Sequence, residues 1–253
     1  MASLDRPVRI AYFGDSFIEA DILTGDLREM LQKRFGGCGV GYVSITTKIA
    51  GFRPTVHHSF GGWSSHSVTD STYFDRSRQD ISNHYFIPSA GAYVALKGRS
   101  VSCRGLIPAR CLPVISLLPI LCVWPLRSTE EKQGIFCRGE RGVAGRFGER
   151  ADRFRALECG GAGFHCLVLC RDDGPHQGVV VDNFSTRGSS GQQLGNIPMS
   201  ILRQYNRLRT YDLVVLQYGL NVASDKVMNY TYYKDAMKPI VERLKTAFPE
   251  VLS

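Results

Sequence analysis

The chain has 253 residues, 43% of them apolar and 21% charged, and carries a formal charge of +8. That length can bury a full core and suits one domain, or a domain with an insert, of ordinary soluble globular composition. The net charge would suit a nucleic-acid partner, but its distribution argues against one: residues 1–96 carry 9 basic and 9 acidic residues, residues 172–253 carry 9 and 8, and residues 97–171 carry 13 and 6.

Met1 is followed almost at once by an expected strand, without the basic flank and apolar stretch of a signal peptide. Val8 to Phe13 reads as a buried strand ending at Gly14-Asp15-Ser16. A helix is expected from about Ile22 to Phe35, with Leu23, Leu27, Met30, Leu31 and Phe35 on one face. Its acidic residues sit early and its basic residues late, which complements the helix dipole. Gly36 and Gly37 end it. A strand, a turn and a helix in this order open an α/β fold. Residues 40–96 alternate aromatic and polar residues with glycines, from Tyr42 through Trp63 to Tyr93, as short strands do.

Residues 97–171 fit no element well. They hold seven of the eight cysteines (only Cys38 lies outside) and most of the excess positive charge. Leu112 to Leu126 is apolar, but it is too short to span a membrane and is broken by Pro113, Pro119 and Pro125. Cys159, Cys166 and Cys170 beside His165 match zinc spacings poorly, so no metal and no cofactor is expected. Local signals that disagree argue against a well-specified fold. The stretch is read as a wrong-frame translation of a segment that is β-rich in the intact gene; the alternative is a divergent insert or a long loop.

The α/β pattern resumes with a strand at Gly178–Val181 leading to Asp182 through Gly188. A helix follows over about Ile197–Leu208. Leu213–Gln217 is a continuous apolar run of the kind found in central parallel strands, and it ends at Tyr218-Gly219-Leu220-Asn221. Tyr230–Phe248 is an expected helix with Pro239 inside it.

Three expected strand ends therefore carry Ser16, Gly188 and Asn221. In an open α/β sheet, ligands bind beyond the carboxyl ends of the strands. A hydroxyl exposed at a turn can act as a nucleophile, a glycine lets backbone N–H groups approach a substrate, and an asparagine amide can donate to an oxyanion. Taken singly, each residue also reads as a turn or cap residue. Their joint placement points to acyl transfer.

The segment Val8–Asp21 with Gly14-Asp15-Ser16 resembles the first block of the SGNH/GDSL hydrolases. Residues 179–191 resemble the second block, with Gly188, and residues 213–224 the third, with Asn221. Phe17 and Val222 stand where that family usually has Leu and Asp; neither position supplies a nucleophile or an oxyanion donor. The resemblance implies a three-layer, flavodoxin-like α/β core with a parallel sheet, in which Ser16 is the nucleophile. The Ser16 and Gly188 N–H groups and the Asn221 amide would then form the oxyanion hole. The stretch from Gly14 to about His58, with Arg53, His57 and Trp63, further resembles the peptidoglycan O-acetylesterases of bacterial envelopes, which carry a β-rich insert between the first two blocks. On this basis residues 1–45 and 178–253 form the core and residues 46–177 the insert. An ester substrate, such as O-acetylated peptidoglycan or another polysaccharide, and an envelope or periplasmic setting follow from the resemblance. Neither a nucleic-acid partner nor a transmembrane segment is expected.

The same resemblance implies a fourth block, D-x-x-H, supplying the Asp and the general-base His. No His follows Asn221, and His57, His58, His66, His84, His165 and His176 lie in no such context. The chain is therefore expected to stop before that block and to have little or no esterase activity, because a serine without a base is a weak nucleophile. His57 and His58 are expected to be surface or packing residues, and Glu19 and Asp21 to be solvated or local caps. Trp63 and the tyrosines of 42–93 are expected to pack in a core rather than to stack on sugars. A non-catalytic glycan-binding module and a generic lipase or acyl-esterase are the alternatives to the O-acetylesterase reading.

Overall fold

A computed structural model describes residues 6–37, 39–70, 73–98, 109–114, 154–155, 165–170 and 178–251. Strands β1 (Val8–Gly14), β8 (Val179–Ser185) and β9 (Leu213–Gln217) form a parallel sheet in the order β8-β1-β9. Helices α1 (Thr24–Phe35), α2 (Met199–Leu208) and α3 (Thr231–Ala247) complete the α/β core. Period-two alternation along β1 sends Ala11 and Phe13 to one side and Ile10 and Tyr12 to the other. The first pair joins Phe184, Tyr205, Tyr211, Ile240 and Phe248, beneath α2 and α3. The second pair joins Val179 and Val181, with Leu27 and Leu31 of α1 packed against them. The sheet is thus covered on both faces, giving three layers.

The face expected for α1 is only partly the one it buries: Leu27 and Leu31 pack against the core. Its buried residues are Thr24 and Arg28, while Leu23, Met30 and Phe35 are exposed. The cause is a polar anchor beneath the helix. Arg28 donates Nε to Val181 O at 3.0 Å and both terminal nitrogens to Asp21. Asp21 is 1% exposed, so it is neither solvated nor a surface cap. At the other end of α1, Gly36 and Gly37 run directly against β8: Val179 N–H donates to Gly36 O, and a Cβ on Gly37 would lie 2.6 Å from Val179 N. Only glycine fits there.

Leu213–Gln217 also differs in place. It lies at the edge of the described sheet, not in its interior, and Leu213 is 42% exposed. An apolar run reports that both faces of a strand are covered. Val214 and Leu216 pack on one face and Val215 on the other. The run is silent about whether the strand's hydrogen-bonding edge is filled.

The β-rich part contains longer strands than expected. Strands β3 (Val56–Ser67) and β4 (His84–Gly98) pair antiparallel, with an irregularity between Gly61 and Trp63. They make a three-stranded sheet with β6 (Phe154–Arg155). A second antiparallel sheet joins β2 (Tyr42–Val43), β7 (His165–Cys170) and β5 (Ala109–Val114). Strands β5, β6 and β7 thus fall within the stretch 97–171; the remainder of that stretch beyond Gly98, with the wrong-frame reading of it, lies outside the described residues. Among the described residues no helix is long and apolar enough to cross a membrane.

Candidate active site

The parallel register sets Gly14 beside Ser185 on one flank and beside Gln217 on the other. Ser16, Gly188 and Asn221 follow that shared row by two, three and four residues. The three loops are then joined directly. The Asn221 side-chain amide donates to Asp15 Oδ2 at 3.1 Å and to Ser189 O at 2.9 Å. One side chain on the third loop thereby touches the immediate neighbours of Ser16 and of Gly188. Asp15 is buried, and its Oδ1 accepts the Phe17 N–H at 3.0 Å, which closes a tight turn around Ser16. Thr186 N–H donates to Gly14 O at 2.9 Å and ties the second loop to the end of β1.

Among the described residues, the Ser16 and Gly188 N–H groups donate no hydrogen bond, which leaves them available to a ligand. The Asn221 amide is in a different state: both of its hydrogens are engaged. Reaching an oxyanion requires it to give up Asp15 or Ser189 O. None of the described residues hydrogen-bonds Ser16 Oγ. Tyr218 and Tyr233 are near Asp15, but burial first, and the Asp15 charge second, push both phenols upward, so neither is a base at neutral pH.

Four histidines are described with their side chains, and all belong to β3 and β4. His57 is exposed. His58 is half-buried, its Nε2 2.9 Å from Ile45 O. Burial brings it down to about 4 against the raising effect of that carbonyl, with the Arg53 charge lowering it further. His66 stacks on Tyr85 with centroids 4.5 Å apart, and His84 Nδ1 lies 2.7 Å from Ser82 O. The side chain of His165, and His176 entirely, lie outside the described residues.

A cavity of about 350 Å3 lies between the core and the β-rich part, bordered by Glu19 and Ala20 after Ser16 and by Ser185 and Arg187 before Gly188. Arg187, Glu19, Thr69, Phe60 and Trp63 line it; Ser16, Gly188 and Asn221 do not. Trp63 thus borders open space, whereas Tyr42 and Tyr85 are buried as expected and Tyr73 is 78% exposed. Glu19 is not free in solvent: it pairs with Arg187 at 2.6 Å, linking the turn after Ser16 to the residue before Gly188.

Beneath the turn lies an ion cluster that sequence reasoning missed. Asp21 Oδ2 lies 2.8 Å from Arg53 and accepts the Thr55 hydroxyl at 2.7 Å, in addition to its bonds from Arg28. Asn183 donates to Asp21 Oδ1, to Thr24 Oγ1 and to Ile18 O. Burial alone would raise the Asp21 carboxyl, but the charges of Arg53 and Arg28, with hydrogen bonds from Arg28 and Thr55, hold it well below the usual carboxylate range. Ala20 and Asp21 take left-handed backbone conformations, φ 57° and 62°. Such a conformation costs an alanine on the order of 1 kcal/mol, and the buried cluster holds it in place. The acidic residue itself and the nearby Arg28 were visible in the sequence; Arg53 and Asn183 lie 32 and 162 residues beyond Asp21 and carry no local signal.

Among the described residues no group of three His, Cys, Asp or Glu side chains could hold a metal ion. No family model and no curated protein matches the chain. Among solved structures, a peptidoglycan O-acetylesterase is similar, with a TM-score of 0.63 and 18% sequence identity. The match covers 98% of this chain and 66% of the other, so the chain spans just under two thirds of that protein's length. At this identity the likeness is one of fold.

Proposed function

We propose that this chain is a serine ester hydrolase of the SGNH/GDSL type, directed at O-acetyl groups on a cell-envelope glycan. The observation that carries the reading is the Asn221 amide, which bridges the Ser16 and Gly188 loops. Ser16 is the nucleophile. Its Oγ attacks the ester carbonyl, and the carbonyl oxygen gathers negative charge facing the Ser16 and Gly188 N–H groups, with Asn221 as third donor once it releases a present partner. Collapse expels the alcohol and leaves an acyl group on Ser16, which water then removes. The substrate class rests on the fold shared with the O-acetylesterase and on the resemblance of residues 14–58 to that group.

With no described base on Ser16 Oγ, catalysis by the chain rests on the oxyanion donors and on binding. In other serine hydrolases these alone are worth about 10³–10⁴ over water. The test is hydrolysis of an aryl acetate by the chain and by Ser16→Ala. Slow hydrolysis above background, lost in the Ser16→Ala variant, is expected. An equal rate in both proteins contradicts the reading.

The cavity favours a second reading, a glycan-binding module without turnover. Trp63 and Phe60 in its walls offer apolar faces beside several hydroxyls, and it lies apart from Ser16. Binding of an O-acetylated glycan fragment with no turnover at any pH would favour it.

A further inference from the structure

We infer that Thr69, supplied by the β-rich part, is a positioning residue for the Gly188 N–H; the inference rests on the serine-hydrolase reading above. Thr69 Oγ1 donates to Arg187 O at 2.9 Å. That carbonyl and the Gly188 N–H belong to one planar peptide unit, and no peptide bond among the described residues is cis. In a trans unit the N–H points away from the C=O. Holding the carbonyl towards Thr69 therefore turns the Gly188 N–H to the opposite side, where it meets no described partner.

This peptide is the central one of a turn closed by the Ser189 N–H on Thr186 O at 3.1 Å, a bond that is compatible with either orientation of the peptide plane. Gly188 has φ 75°, and a Cβ built on it would touch nothing within 4 Å, so packing does not set its orientation. The Arg187 side chain is anchored to Glu19, which fixes the residue but leaves the following peptide plane free to rotate. Thr69 is in turn held in place: Ser67 Oγ lies 3.1 Å from its hydroxyl and accepts its N–H at 3.4 Å. Ser67 is 5% exposed, at the end of β3. A hydrogen bond to the carbonyl also polarises the peptide and makes its N–H the better donor. The β-rich part thus meets the second loop at Ser82 O, which accepts the Thr186 hydroxyl, and at the Thr69 hydroxyl, which alone of the two acts on the Arg187–Gly188 peptide.

The test is the rate at which an alkyl fluorophosphonate labels Ser16, followed by intact mass, in the unaltered chain, Thr69→Val, Thr69→Ser and Ser16→Ala. In this reaction the Ser16 oxygen bonds to phosphorus, the P–F bond breaks, fluoride leaves with the electron pair, and the hydroxyl proton passes to solvent. The phosphoryl oxygen gathers charge where an ester oxyanion would. Thr69→Val is expected to slow the bond-forming step about three- to tenfold with reversible probe binding unchanged, and Thr69→Ser to restore it to within about twofold. Thr69→Ala replaces the valine variant if that one does not fold. Equal rates in Thr69→Val and the unaltered chain, with Ser16→Ala unlabelled, overturn the positioning role and leave the hydrolase reading standing. The same slowing in Thr69→Ser and Thr69→Val also overturns it, since the hydroxyl is then not the cause. Absence of any Ser16 adduct in the unaltered chain overturns the hydrolase reading, and this inference with it.

Discussion

Replacing Asp21 by Asn is expected to destabilise the protein by about 3–5 kcal/mol, the usual cost of removing one partner from a buried ion pair. The side chains of Asp21 and Arg28 are 0% and 3% exposed, and that of Arg53 is 10% exposed. Asparagine keeps the shape and part of the hydrogen bonding but leaves two guanidinium groups facing each other without a counter-charge. Against a typical total of about 5–15 kcal/mol, that loss is a large share of the stability. Urea unfolding measures it, as a lower midpoint at unchanged slope. Acid supplies a second signature. The folded carboxyl is depressed, so its contribution is fully present above the unfolded value of about 3.9 and is lost as pH falls below it towards the folded value. The unaltered chain should lose stability through that window, and Asp21→Asn should lose less there. A midpoint within experimental error of the unaltered chain would contradict the role given to the cluster.

Replacing Asn221 by Ala is expected to lower the residual rate of aryl acetate hydrolysis about 10²-fold, in kcat rather than in KM, as loss of one oxyanion donor does elsewhere. Stability should change much less, because Asn221 is exposed. Asn221→Asp discriminates further. It retains the shape but sets a second carboxylate at the 3.1 Å contact with Asp15 Oδ2, where the amide now donates. Like charges at that separation repel, so the aspartate should leave the site and the rate should fall at least as far as with alanine. Rates unchanged in both variants would mean that Asn221 only ties the three loops together.

What was legible in the sequence follows from the range over which each signal acts. The strands carrying Ser16, Gly188 and Asn221 announced themselves by local apolar runs and by the turn residues after them. Their convergence needed only the rule that parallel strands present their carboxyl ends together. The buried face of α1 was legible only in part: Leu27 and Leu31 pack as their spacing says, but the helix also rests on Arg28 and Asp21 rather than on Leu23 and Met30. A charged pair inverts the usual reading of periodicity. The edge position of β9 was hidden for another reason: side-chain pattern reports faces, and hydrogen-bonding edges leave no mark on it. Glu19 read as a solvated or capping residue, and Thr69 drew no reading, because their partner, Arg187, lies more than a hundred positions away.

The most direct test of Ser16 as nucleophile is to trap its acyl intermediate. Acylation by an aryl acetate expels a phenoxide, a good leaving group, whereas the acetyl-serine it forms is an ordinary alkyl ester, so deacylation is the slower step and the intermediate should build up. The chain would be incubated briefly with an aryl acetate, quenched in acid, and mapped by peptide mass. A single acetyl group on the peptide containing Ser16, absent from Ser16→Ala, is the predicted result. Ester turnover with no acetyl on Ser16, or an adduct that persists in Ser16→Ala, would contradict it.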